Sequence, residues 1–236
     1  MNGFFTNPLR LIAYIPRKLF KLTNFFNEYR WTKNDSRNID KNHKVLFVDL
    51  GANLGQSYKW FKKFFNHENV HFELFEPNPN CCDKLNQLPE IISGKVKLHK
   101  VAAGSNNTKT KFYGIFHDEG GKYSQGGSIV KEHDSHWHQV SEKKAIDVDV
   151  INFSKYVLNK KKEFDKIIVK MDIEGAEVDL LENLIDTKII HKIDILYVEF
   201  HSEYQSREFS NITKIRENKI IDYLSKIPNL KFRIWH

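Results

Sequence analysis

Lys44-Val-Leu-Phe-Val-Asp-Leu50 is a continuous apolar run that ends in a glycine-bearing turn, Gly51-Ala-Asn53-Leu-Gly55. Such a run keeps no polar face for water, so it reads as a strand buried on both sides in a parallel sheet. A parallel neighbour is reached only through a crossover, usually a helix, and helices must then cover both faces. The rest of the chain supplies that alternation. Helices are predicted over residues 56–65, 79–88, 152–159, 175–186 and 211–226, and strands over 70–76, 95–101, 166–172, 193–200 and 230–235. Residues 108–116 and 145–150 read as extra strands around a long polar stretch, 117–144. The expected fold class is α/β: a doubly wound, mostly parallel, Rossmann-like sheet with an N-terminal helical extension.

Residues 1–40 differ from the remainder and are set apart as a basic, aromatic-rich helical extension to a domain at 41–236. Leu9, Ile12, Ile15, Leu19, Leu22 and Phe26 recur at helical spacing, Pro8 and Pro16 punctuate the segment, and the polar run 33–44 reads as a linker. The 236 residues suffice for a sizeable core, and the 40% hydrophobic and 28% charged content is that of a soluble globular protein. Cys81 and Cys82 are adjacent and have no third cysteine to pair with, which points to a reducing, cytoplasmic setting. No apolar stretch reaches bilayer-spanning length. The net charge of +7 favours anionic partners in principle, but the lysines fall in short runs typical of a solvated surface. In residues 1–31, Arg10, Arg17, Lys18, Lys21 and Arg30 stand among aromatics with Glu28 as the sole acid. That pattern suits peripheral contact with an acidic membrane surface. It equally suits helices that cap the domain or join a homodimer rather than a monomer, and the two prolines favour this second reading.

The turn after the first strand is where an open α/β sheet binds nucleotides. Gly51 and Gly55 allow a sharp turn and close approach of a ligand, and Asn53 and Gln56 complete the loop. Glu76 ends the second strand about 20 residues later, where an acid can accept the hydroxyls of an adenosine ribose. Asp49 precedes the glycines at the strand end. A carboxylate there repels a pyrophosphate but attracts the ammonium of a methionine moiety, which favours S-adenosylmethionine over NAD.

The chain resembles the FkbM family of methyltransferases in five segments. They are Phe47-Val-Asp-Leu-Gly-Ala-Asn-Leu-Gly-Gln56, Phe75-Glu-Pro-Asn-Pro79, Val101-Ala-Ala-Gly104, Val169-Lys-Met-Asp-Ile-Glu-Gly-Ala-Glu177 and Leu196-Tyr-Val-Glu-Phe-His201. The resemblance implies a class I methyltransferase fold and O-methylation, commonly of sugars or polyketide-type products. It adds Ala102 to the cofactor-binding residues. That fold usually carries a seventh, antiparallel strand, which is hard to place before His236.

Methyl transfer to an alcohol is an in-line displacement that needs alignment and a positioned base. Asp172, Glu199 and His201 fall at the carboxyl ends of the fourth and fifth core strands and are the candidate catalytic residues. The same three are candidate ligands for Mg²⁺ or Mn²⁺. Glu174 and Glu177 stand at the start of the helix after the fourth core strand, and helix-terminal charge is the reading favoured for Glu177. In the long polar stretch, Ser128, His136 and Trp137 are candidate acceptor contacts, with Trp137 able to stack on a sugar face. His133, His136 and His138 offer a competing metal cluster. The leading reading is thus an S-adenosylmethionine-dependent O-methyltransferase acting on a sugar in a glycan or glycoconjugate. The alternatives are an RNA 2′-O-methyltransferase and a non-catalytic nucleotide-binding module. Lys170 stands two residues before Asp172 and suits the RNA reading, but it lacks a second well-placed lysine.

Overall fold

The computed structural model describes residues 8–114, 123, 126–131, 133 and 144–236, without the side chains of 8–21, 207 and 208. His136, Trp137 and His138 therefore lie outside the described residues. The first half of the chain forms α1 (Pro8–Arg37), β1 (Val45–Leu50), α2 (Gln56–Phe61), β2 (Val70–Phe75), α3 (Pro79–Leu85), α4 (Pro89–Ile92), β3 (Val96–His99), β4 (Ala102–Gly104) and β5 (Thr108–Phe112). The second half forms β6 (Ile146–Asn152), α5 (Phe153–Lys160), β7 (Lys166–Met171), α6 (Glu177–Asp186), β8 (Ile195–Val198), α7 (Arg207–Ser225) and β9 (Lys231–Ile234). By contact the chain divides into two units, residues 1–40 with His236, and Lys41–Trp235.

In the larger unit six strands form one sheet in the order β3-β2-β1-β7-β8-β9. Every pairing in it is parallel. The buried apolar run therefore does what such a run requires, with a neighbour on each side. Its alternation assigns the two faces. Leu46, Val48 and Leu50 join Ile167, Val169 and Met171 of β7 in a core completed by α5, α6 and α7. On the opposite face Phe47 packs on Phe61 of α2, on Phe65 and on Phe72, and Phe61 meets Tyr197 and Trp235. Burying each of these aromatic rings stabilises the fold by roughly 1.5–3 kcal/mol. Asp49 and Lys170 are register partners on this second, α2-covered face.

Several boundaries differ from those expected. The strand predicted over 95–101 is split: β3 stays in the main sheet, whereas β4 pairs with β6 in a separate three-stranded sheet with β5. No antiparallel strand joins the main sheet among the described residues, and β9 pairs parallel with β8. The helix expected from residue 175 begins at Glu177, because Glu174 and Gly175 are left-handed at φ 52° and 101°. Residues 33–37, expected in a linker, belong to α1, and Pro16 lies within that helix instead of breaking it. One proline removes one rung of the ladder. Near the end of α1 the Thr32 hydroxyl donates to the Glu28 carbonyl and the Ser36 hydroxyl to the Lys33 carbonyl, so both side chains turn back onto the helix backbone. No helix among the described residues is long and apolar enough to cross a membrane.

Candidate active site

The main sheet lines up its chemistry along one edge. Just past each strand, a residue donates its backbone N–H to the end of the neighbouring strand: Glu76 to His99, Gly51 to Phe75, Asp172 to Leu50 and Glu199 to Met171. The ladder thus continues one residue beyond the strands and fixes Glu76, Gly51, Asp172 and Glu199 in a row at their carboxyl ends. That edge is the ligand-binding side of an open α/β sheet.

The turn after β1 is built on left-handed backbone. Gly51 and Gly55 both have φ of 80°, and Asn53 has φ of 46°. At Gly51 the requirement is also one of space, since a Cβ there would lie 1.7 Å from the Asp172 carbonyl oxygen. Within the turn the Asn53 side chain accepts the Leu54 N–H at 2.9 Å and Gln56 Oε1 accepts the same N–H at 3.0 Å. Glu76 is buried, and its two oxygens accept the N–H groups of Asn53 at 2.7 Å and Asn78 at 2.8 Å. Each oxygen keeps a lone pair for a ligand hydroxyl. Burial pushes the Glu76 carboxyl up to about 7, against the pull of those two N–H groups. Asp49 is fully enclosed and accepts the Ser57 hydroxyl on both oxygens, at 2.7 and 3.0 Å. Burial raises its pKa, while Lys170 and Ser57 oppose the rise. Ala102 is buried in β4, paired with Val150 of the small sheet.

Lys170 is the hub of the charges. Its side chain is 2% exposed and its Nζ donates to Asp172 Oδ2 at 2.6 Å. Burial works against the ammonium, but Asp172, Asp49 and Glu199 outweigh it and hold the pKa above the ordinary lysine value. Glu199 is raised by burial and by the charge of Asp172. His201 is held at Nδ1 by Glu177 Oε1 at 3.0 Å. Burial alone would lower the imidazole, yet Glu177, then Glu174 and Asp172, push it up to about 10.

Glu177 does more than the helix-terminal charge expected of it. It is buried and its carboxylate accepts the N–H groups of Ile173 and Gly175, closing the turn between β7 and α6 before reaching His201. Ser128 is buried as well; its hydroxyl donates to the Glu174 carbonyl at 2.6 Å and accepts the Val130 N–H. His133, which the sequence grouped with His136 and His138, places Nε2 3.2 Å from Glu174 Oε2.

The structure brings Asp172, Glu199 and His201 together, with His201 Nε2 3.7 Å from Asp172 Oδ1 and 3.9 Å from Glu199 Oε1. It adds Glu174, Glu177 and Ser57, to which the sequence gave no such place, and sets Lys170 beside Asp172. The spacing of Lys170 and Asp172 on one strand put both on one face; nothing in the sequence signalled that Ser57 would reach back to Asp49. A separate depression lined by Pro77, Pro79, Cys82, Lys100 and residues 146–149 includes none of these charged groups.

Residues 49–233 match the family described as the methyltransferase FkbM domain. No curated protein matches the chain. Among solved structures, Methyltransferase FkbM from Methylobacillus flagellatus KT is similar, at 15% identity and a TM-score of 0.42. The alignment covers 77% of this chain and 38% of that one, so the chain spans little more than a third of that relative's length. The matched span runs from Asp49 at the start of the glycine turn into β9 and takes in the whole charged row, so the chain belongs to the FkbM methyltransferase family.

Proposed function

We propose that the chain is an S-adenosylmethionine-dependent O-methyltransferase acting on a hydroxyl of a sugar in a glycan or glycoconjugate. The observation that carries the catalytic part is the contact of Asp172 with the Gly51 turn. The Asp172 N–H is bonded to Leu50 and its carbonyl fills the space a Gly51 side chain would need. The carboxylate is therefore fixed beside the turn that holds the cofactor, with Lys170 as its counter-ion.

The donor set suits S-adenosylmethionine. Glu76 offers acceptor lone pairs to the ribose hydroxyls, with Asn53, Gln56 and Ala102 around them. Asp49 is enclosed, so it acts through its negative field and through Ser57, favouring a cationic methionine moiety and opposing a pyrophosphate. When bound, S-adenosylmethionine supplies an electrophilic methyl carbon. The residues of the chain supply the rest. Asp172 and Glu199 stand where a hydroxyl proton can be received as the oxygen becomes nucleophilic. Lys170 keeps the carboxylate row compensated in a buried setting. A sugar is the proposed acceptor because its hydroxyls match a carboxylate-lined site and because Trp137 and His136 stand in a long polar stretch.

Incubation with methyl-labelled cofactor and a panel of glycans and glycoconjugates should yield methyl ethers. Asp172→Asn keeps the shape but loses the charge, so turnover should fall by about 100-fold or more while cofactor affinity changes little. Turnover near that of the parent would move proton removal away from Asp172. Cofactor binding without transfer to any hydroxyl acceptor would leave a binding module.

A further inference from the structure

We propose that Asp172, Glu174 and His201, with His133 beside Glu174, form a binding site for a divalent first-row transition-metal ion. The site lies on the acceptor side of the charged row, and its part in methyl transfer rests on the function proposed above; the binding itself does not.

One ligand atom from each of Asp172, Glu174 and His201 lies within 4.8 Å of the others. His201 Nε2 is 3.7 Å from Asp172 Oδ1 and 3.7 Å from Glu174 Oε2. These separations are too long for hydrogen bonds. They are close to the spacing of ligand atoms around a shared ion, roughly 3–4 Å for bonds of about 2.1 Å. The other ring nitrogen, Nδ1, is held by Glu177 at 3.0 Å, and Glu177 is itself fixed by the N–H groups of Ile173 and Gly175. A carboxylate behind a histidine in this way sets the ring orientation and leaves Nε2 as the ligand atom.

His133 is the independent observation. It is 2% exposed; Nδ1 has no hydrogen-bond partner among the described residues, and Nε2, though close to the Glu174 carboxylate, makes no bond of hydrogen-bond geometry. A buried polar atom left unbonded is costly, and a native structure rarely keeps one without a reason. Its Nε2 faces the cluster, 3.2 Å from Glu174 Oε2. An ion shared with Glu174 satisfies that nitrogen. Glu199 contributes its charge from farther out, with Oε1 3.9 Å from His201 Nε2. The ligand set therefore differs from the Asp172, Glu199 and His201 expected from sequence. An imidazole nitrogen with two carboxylates, and a second imidazole beside them, also suits Mn²⁺, Fe²⁺ or Zn²⁺ better than Mg²⁺, which prefers oxygen ligands throughout.

The test is direct binding to the full chain after stripping with EDTA. Mn²⁺ is followed by loss of its free-ion electron paramagnetic resonance signal, and Zn²⁺ by competition with a chromophoric chelator, with no cofactor or acceptor present. A single saturable ion per chain is expected. His201→Ala and His133→Ala should each weaken it at least 10-fold, and Glu177→Gln by about 10- to 100-fold through loss of ring orientation. His191→Ala, at an exposed site elsewhere, should leave the affinity unchanged. If His133→Ala fails to give the parent circular dichroism spectrum, Glu174→Gln takes its place. No saturable binding of either ion, or binding that survives both histidine substitutions, overturns the site. Methyl transfer by protein that binds neither ion would also overturn it while leaving the proposed activity standing. Ion binding lost in these variants, in a protein that methylates nothing, would keep the site and remove the activity.

Discussion

Gly51 shows how much one position can carry. Its φ of 80° suits glycine, and an added Cβ would lie 1.7 Å from a backbone oxygen, not from a side chain able to swing away. Relief would need the Asp172 backbone to move, and Asp172 carries the carboxylate at the centre of the charged row. Gly51→Ala is therefore expected to reduce both stability and activity. Unfolding in urea should show a loss of at least about 1–3 kcal/mol, the cost of a residue forced into an unfavoured backbone region. Any folded protein that remains should have impaired turnover. Unaltered stability would mean that the turn has another conformation. The sequence made Gly51, Asn53, Gly55 and Glu76 legible because a tight turn between strand and helix restricts both residue type and spacing. The roles of Ser57 and Glu177 were hidden, since a hydroxyl or carboxylate in the first turn of a helix has the same local pattern whether it faces solvent or reaches back into the site.

At the scale of elements, Glu73 ties three of them together. It lies in β2, is 6% exposed, and receives His99 from β3 and Tyr156 and Lys160 from α5. Burial alone would raise its pKa, yet these three partners pull it from 4.5 down to about 2. A depressed carboxyl contributes stability that is present above the unfolded value and lost as pH falls through the folded one. The contribution of Glu73 should thus be full above about pH 4.5 and fade toward pH 2. Glu73→Gln should lower the unfolding free energy at pH 7 by roughly 3 kcal/mol, the scale of breaking a buried pair. It should also flatten the acid side of the stability curve; parallel acid slopes for variant and parent would show that this network does not hold α5 to the sheet. Elements with a strong local signal were legible: the buried run of β1, the Pro77–Pro79 stop, and the period of α6. Boundaries set by tertiary contacts were not. The split between β3 and β4 depends on β6, some 45 residues onward, offering Ala102 a partner in another sheet. The start of α6 depends on the left-handed turn at Glu174 and Gly175 that Glu177 closes.

Across the whole molecule, topology and local chemistry answer different questions. Six parallel strands in the order β3-β2-β1-β7-β8-β9 place β1 and β7 at the centre, where successive crossovers diverge and a ligand crevice opens. The same strand order serves dinucleotide-binding proteins, so the sheet alone does not choose the cofactor. The choice falls to the turn after β1. Asp49 is enclosed there beside the turn, and Glu76 is buried at the end of β2. A pyrophosphate brought to this edge meets the field of Asp49, Asp172 and Glu199, relieved by the Lys170 cation that these carboxylates already share. A sulfonium with an ammonium meets the same field as an attraction. Calorimetric titration of the full chain should therefore give S-adenosylmethionine at least tenfold tighter than NAD. Asp49→Ala and Glu76→Ala should each weaken S-adenosylmethionine binding by about 1.5–3 kcal/mol, the worth of a hydrogen bond to a charged group. The two losses differ in origin: Glu76 loses direct acceptors, whereas Asp49 loses its field and its hold on Ser57. Ser57→Ala should thus reproduce part of the Asp49 loss and none of the Glu76 loss. Tighter binding of NAD, or unchanged affinity in both carboxylate variants, would place the adenosine ligand away from this turn.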